Sequence, residues 1–94
     1  MIIGILKVEL YMPVSSSLKE KRMILKSLKD KTRRAFNVSL AELALHDKWQ
    51  RSIIGIAAIG TTKDSINSLL DKIVNYITGL RDDMEMLDYE MEIL

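Results

Sequence analysis

Apolar and mixed positions alternate along the first twelve residues of the chain. The even-numbered residues from Ile2 to Met12 are apolar apart from Gly4, whereas the odd-numbered residues include Lys7 and Glu9. A period of two is typical of a strand, whose successive side chains point to opposite faces of a sheet. The sequence therefore predicts a first strand, and it should end at the following proline, which has no N–H to donate.

The next segment has the pattern of an amphipathic helix. Leu18, Leu25 and Leu28 recur at helical spacing, and Ser17 stands three residues before Glu20. This S-x-x-E spacing is that of a capping box, in which each side chain bonds the backbone N–H of the other residue. We predict a helix over residues 18–35.

The rest of the chain predicts three more strands and a second helix. Alternation predicts strands at residues 37–43 and 87–93, and an isoleucine-rich run predicts one at 49–59, with the turn at 46–48 between the middle two. That run is apolar at nearly every position, so it should lie inside the sheet. Apolar spacing from Ile66 to Ile77 predicts the second helix, with Gly79 as a left-handed C-cap.

The element order βαββαβ predicts a single ferredoxin-like domain over residues 1–94. Right-handed crossovers fold this α+β order into a four-stranded antiparallel sheet with both helices on one face and the first and third strands in the centre. The uncovered face would then be largely apolar, with Ile3, Ile5, Tyr11, Trp49, Ile53 and Ala57. So apolar a surface on a small protein favours a homodimer.

Composition narrows the possible chemistry. The chain has no cysteine and one histidine, so disulfides, thiolate sites and histidine clusters are excluded. No Gly-rich phosphate loop or positioned nucleophile is present either, and we expect a protein that is not an enzyme and has neither metal nor cofactor. No segment resembles a signal peptide or a membrane span, which favours a cytoplasmic location away from membranes.

Charge is distributed unevenly although the net charge is only +1. Residues 19–34 hold eight basic and two acidic residues, whereas residues 82–94 hold six acidic residues and no basic one. Five of the cations recur at steps of three and four and form a stripe on the first helix, which we call the basic stripe: Lys19, Arg22, Lys26, Lys29 and Arg33. Such a stripe favours binding of RNA or a ribosomal surface through phosphates. A solvated helix face, an adaptor for an acidic protein and a small-ligand regulatory domain remain alternatives.

Two further basic residues join the predicted nucleic-acid-binding set. Lys21 falls about 60° from Leu18 on the apolar side of the helix. We expect its stem to snorkel to water rather than its ammonium to form a buried pair with Glu42. Arg51 shares strand parity with Trp49, as a cation beside a stacking aromatic would.

Polar residues in the second predicted strand suggest one more site. Asn37, Ser39 and Glu42 interrupt an otherwise apolar run, and with Trp49 they form a candidate partner or ligand patch. The more common interpretation of an asparagine at a strand entry is turn chemistry.

Three sequence blocks resemble those of a known family. They are SLKEKR at residues 17–22, FNVSLAE at 36–42 and WQR at 49–51, in an order and spacing similar to those of the YlxP-like family of small bacterial proteins. The resemblance covers essentially the whole chain and implies a ferredoxin-like domain without an established activity. Members are often encoded beside genes for transcription termination, translation initiation and ribosome maturation, which implies a connection with RNA or ribosomes.

Overall fold

The computed structural model describes residues 1–94 and contains four strands and two helices. In chain order these are β1 Ile2–Tyr11, α1 Leu18–Ala35, β2 Ser39–Ala44, β3 Arg51–Gly60, α2 Lys63–Thr78 and β4 Glu85–Ile93. The strands form one antiparallel sheet in the order β2-β3-β1-β4. The predicted ferredoxin-like fold is therefore confirmed, including the central position of β1 and β3.

One face of the sheet forms the core with the two helices. The even-numbered residues from Gly4 to Leu10 in β1 and from Ser52 to Ala58 in β3 are buried against apolar residues of α1 and α2, such as Leu28 and Ile73. At Gly4 the strand approaches α2 so closely that an added Cβ would lie 2.4 Å from Ile66 Cγ2. The opposite face is uncovered, and Ile59 and Leu43 on it are 65% and 53% exposed.

Helix α1 begins and ends where the sequence predicts, but its N-terminal cap differs in one bond. Ser17 Oγ accepts a hydrogen bond from the backbone N–H of Glu20 at 3.1 Å, as in a capping box. The Glu20 carboxylate, however, accepts from the N–H and hydroxyl of Ser16, at 2.9 and 2.8 Å, and not from Ser17. The Ser16 backbone N–H is the main cause of a lowered pKa of Glu20. Only half of the predicted reciprocal box is present.

Two predicted details at element ends are wrong. Gly79 caps α2 with a φ of −99°, so the predicted left-handed cap does not form. The strand starts also differ: β2 and β3 begin two residues later than predicted, which leaves Asn37 and Trp49 outside the sheet, and β4 begins two residues earlier. The connection between these strands spans residues 45–50, and we call it the hairpin loop. Leu45 opens it with a φ of 64°, in the left-handed region.

Neither helix has the combination of length and apolar character that a membrane span requires.

Candidate functional site

The basic stripe lies along α1 beside the edge strand β2. Between helix and sheet runs a shallow groove of about 340 Å³, lined by Arg22, Leu25, Lys26, Lys29, Asp30, Arg33, Glu42 and Ile54. Four of the five stripe cations therefore border one groove. The sheet side of the groove adds a single acidic group, Glu42, whose carboxylate has a partner of its own.

Few of the stripe cations are neutralised within the chain. Lys26 Nζ lies 3.0 Å from Asp30 Oδ2, and this contact is the main cause of a lowered pKa of Asp30. Arg33 Nη2 donates to the carbonyl oxygen of Leu40 at 3.2 Å, which orients the guanidinium without neutralising it. Lys19, Arg22, Lys29 and Arg33 have no carboxylate oxygen within 4.0 Å.

The Lys26–Asp30 pair leaves the stripe positive. Exposed ion pairs at i,i+4 contribute little to stability, because water screens them and two flexible side chains must be ordered. An incoming phosphate can therefore compete for Lys26 at little cost. The stripe is a row of cations whose counter-charge comes mainly from solvent ions.

Lys21 does not belong to this surface, contrary to the sequence prediction. Its side chain is 1% exposed, and its Nζ lies 3.0 Å from Glu42 Oε2. The ammonium also donates to the carbonyl oxygens of Leu45, Arg51 and His46 at 2.8, 3.2 and 3.4 Å. The predicted snorkelling is wrong, because these acceptors surround the ammonium beneath the hairpin loop. Lys21 is therefore excluded from the nucleic-acid-binding set.

The Glu42 carboxylate completes this internal network. It is 20% exposed and accepts a hydrogen bond of 2.6 Å from Ser52 Oγ on the adjacent strand. His46 Nε2 lies 3.2 Å from the carbonyl oxygen of Glu42 and 3.9 Å from its Oε1. Buried charges are tolerated when paired and hydrogen-bonded in this way. Glu42 thus acts as the counter-ion of Lys21.

The predicted partner patch is divided among three places. Asn37 and Ser39 line a hollow of about 380 Å³ with Ile3 and Ile59, at one end of the sheet. Glu42 serves the internal network, and Trp49 lies in the hairpin loop at the other end of β3. These residues do not form one site, because the patch prediction followed sequence proximity rather than position on the sheet.

Trp49 and Arg51 do lie together, in a cleft of about 530 Å³ that we call the hairpin cleft. Its lining consists of Tyr11, Leu45, Asp47, Lys48, Trp49, Gln50 and Arg51. The Arg51 guanidinium pairs with the Glu9 carboxylate across the sheet. Tyr11 is not among the predicted site residues, but antiparallel pairing of β1 and β3 places it directly opposite Arg51. No cluster of three or more His, Cys, Asp or Glu side chains is arranged to hold a metal ion.

Comparisons with known proteins agree with the resemblance found in the sequence. The family described as "Protein of unknown function (DUF503)" matches residues 3–91. The chain is 35% identical over 75 residues to the uncharacterized protein YlxP of Bacillus subtilis (strain 168), an alignment that covers 80% of this chain and 82% of that protein. The chain therefore belongs to the DUF503, YlxP-like family, whose function is unknown.

Proposed function

We propose that this protein binds RNA, including RNA at a ribosomal surface, through the basic stripe on α1. One observation carries the proposal: Lys19, Arg22, Lys29 and Arg33 share one side of a helix and have no carboxylate partner within 4.0 Å. A surface of this kind attracts a polyanion, since each phosphate it binds releases condensed counterions. The proposed role is binding in the cytoplasm, without catalysis.

The geometry of the stripe suits an extended phosphate backbone. Residues 19 to 33 span about 21 Å of helix axis, and each step of three or four residues advances by about 5 Å. The groove beside β2 gives the bound strand a second wall, so the backbone can follow α1 rather than touch it at one point. Lysine and arginine side chains are long enough to adjust to the phosphate positions.

The distribution of acidic residues favours one orientation. Asp88, Glu90 and Glu92 of β4 pair in register with Glu9, Lys7 and Ile5, which places these acids on the uncovered face of the sheet. The helices occupy the other face. A polyanion is therefore attracted to α1 and repelled from β4, which orients its approach.

The test compares two charge-reversal variants of equal net charge. Arg22→Glu with Lys29→Glu alters the stripe, whereas Lys63→Glu with Lys72→Glu alters exposed lysines of α2 that have no ion pair. Binding of a fluorescently labelled RNA is measured by anisotropy at several salt concentrations. If all five stripe cations bind phosphates, affinity should fall by about 100- to 500-fold between 50 and 200 mM salt.

The stripe variant should bind RNA much more weakly and show a shallower salt dependence, whereas the α2 variant should resemble the wild type. An equal loss of RNA affinity in both variants would contradict the proposal, because it would show that binding depends on net charge and not on the position of the basic stripe. Undetectable binding of the wild type at low salt would refute the proposal.

We also propose that the uncovered sheet face associates with a second copy of the chain. Ile59 and Leu43 are exposed apolar residues on that face, and Ile3, Ile5 and Ile53 on the same face are half-buried. Such apolar patches mark association surfaces. A two-fold arrangement would double the basic stripe and raise avidity for a long RNA. Analytical ultracentrifugation should show a dimer that Ile59→Glu dissociates, whereas a monomeric wild type at high concentration would contradict the proposal.

A further inference from the structure

The hairpin cleft combines exposed aromatic surface with two basic side chains. Trp49 is 55% exposed although it is the largest apolar side chain in the protein, and Tyr11 lies in the same cleft. Lys48 and Arg51 are at its border, together with Asp47, and the exposed Arg51 guanidinium pairs with the Glu9 carboxylate. Aromatic rings beside cations are the usual platform for an unstacked nucleobase with its phosphate, because every base presents a flat π-face.

The backbone around this cleft is held in place from below. Lys21 Nζ donates to the carbonyl oxygens of Leu45 and Arg51, at the two ends of the hairpin loop. Gln50 Nε2 donates to the carbonyl oxygens of Pro13 and Ser15 at 3.0 and 3.3 Å, so the loop is also tied to the segment before α1. A loop fixed by these bonds loses little conformational entropy when a ligand binds.

The anchoring of Leu45 is notable because its backbone is strained. A left-handed φ is unfavourable for a leucine, which has no side-chain hydrogen bond to offset the steric cost. The 2.8 Å bond from the buried ammonium to the Leu45 carbonyl stabilises this conformation. Leu45 in turn lines the cleft, so Lys21 acts as a positioning residue for its wall.

The cleft is also close to the basic stripe. Lys21 lies in α1 between Lys19 and Arg22, and its side chain reaches directly to the hairpin loop. The helical turn that carries Lys19 and Arg22 is thus tied to the wall of the cleft through the Lys21 side chain. An RNA strand that follows α1 would arrive beside the cleft.

We propose that the hairpin cleft binds an unpaired base of the RNA whose backbone lies on the basic stripe. The inference rests on the proposed function and adds a preference for RNA with unpaired nucleotides. In the complex, the base stacks on Trp49 and Tyr11, and Lys48 and Arg51 lie near its phosphate. A fully paired duplex offers no free base and can use only the stripe.

The experiment uses the fact that Trp49 is the only tryptophan of the chain. Its emission is recorded during titration with an RNA stem-loop and with a fully paired RNA duplex of the same length. Anisotropy of the labelled RNAs gives both affinities. We expect the stem-loop to quench Trp49 and to bind about tenfold more tightly than the duplex.

Two variants separate the cleft from the stripe. Trp49→Leu should lower the stem-loop affinity to that of the duplex, whereas Tyr89→Leu, at an exposed aromatic outside the cleft, should not. Equal affinities of the two RNAs, or no quenching of Trp49 fluorescence, would overturn the cleft inference. In that case, weaker RNA binding by the Arg22→Glu, Lys29→Glu variant would still support the basic stripe. If RNA quenched Trp49 equally well in this stripe variant, the proposed role of the basic stripe would be refuted and that of the hairpin cleft would be supported. Absence of RNA binding would refute both.

Discussion

Replacing Lys21 by methionine tests the internal network most directly. Methionine keeps the apolar stem of the side chain within the core but removes the ammonium. Glu42 then loses its ion pair and keeps the bond from Ser52, while the carbonyl oxygens of Leu45, His46 and Arg51 lose a donor. The substitution therefore leaves one charge and several acceptors uncompensated.

The magnitude follows from the burial of these partners. Removing one member of a buried ion pair costs about 3–5 kcal/mol. The Glu42 carboxylate is partly exposed, and the loop carbonyls lie near the surface, so water can replace some of the lost bonds. We expect Lys21→Met to lower the free energy of unfolding by about 3 kcal/mol, out of about 5–14 kcal/mol for a chain of this length.

Urea unfolding followed by far-UV circular dichroism measures this difference. Lys19→Met is the matched control, because Lys19 lies in the same helical turn, is exposed and has no ion pair. The control should change stability by less than about 0.5 kcal/mol. The double variant Lys21→Met, Glu42→Met should be more stable than the sum of the single variants predicts, since neither charge is left alone. A Lys21→Met protein as stable as the control would refute the role of the network.

Two further predictions concern the core and the acid sensitivity of the fold. Gly4→Ala should lower the free energy of unfolding by about 1–3 kcal/mol, because the new Cβ would overlap with Ile66. Gly79→Ala is the control: its Cβ would meet nothing closer than 3.9 Å, so stability should change by less than about 0.5 kcal/mol. Urea unfolding measures both, and an unchanged Gly4→Ala protein would contradict the close packing of β1 on α2. Three carboxyl groups have pKa values below their ordinary values of 4.5, 3.8 and 3.8, namely Glu20, Asp30 and Asp83. The main cause of the lowered pKa of Asp83 is the Arg81 guanidinium, which donates two hydrogen bonds of 2.7 Å to its carboxylate. A lowered folded-state pKa gives stability that is present above the unfolded-state value and is lost as pH falls through the folded-state value, so stability should decrease below about pH 4.5. Unfolding measured from about pH 6 to pH 2.5 checks this, with a shallower decrease expected for Asp83→Asn, and a stability that stays constant to pH 3 would refute it.

Sequence reasoning predicted the elements whose signals are local. The bounds of α1 followed from Ser17 and the apolar spacing, and the central position of β3 followed from its continuous apolar run. Both signals arise from short-range physics: capping of free backbone N–H groups, and the apolar side chains of a strand that lies between two neighbouring strands. The ferredoxin-like order followed from these elements and the handedness of crossovers.

The errors concern contacts between distant segments. A helical wheel places Lys21 on the buried side of α1 but does not show which acceptors lie above it. Alternation within β2 places Glu42 on the core-facing side with Leu40. A carboxylate on that side requires a basic partner, and this requirement favours the Lys21–Glu42 pair. The prediction that Trp49 lies in a strand is wrong because the hairpin loop spans residues 45–50 and not only the predicted turn at 46–48.

The free edge of β2 determines whether a strand from another molecule can add to this sheet. The Leu40 carbonyl accepts from Arg33, and the Glu42 carbonyl lies within hydrogen-bond distance of the His46 ring. A foreign strand that added itself to this border would have to displace both side chains before making its own ladder. The two side chains therefore disfavour sheet extension at the β2 edge, where strand addition could otherwise lead to aggregation.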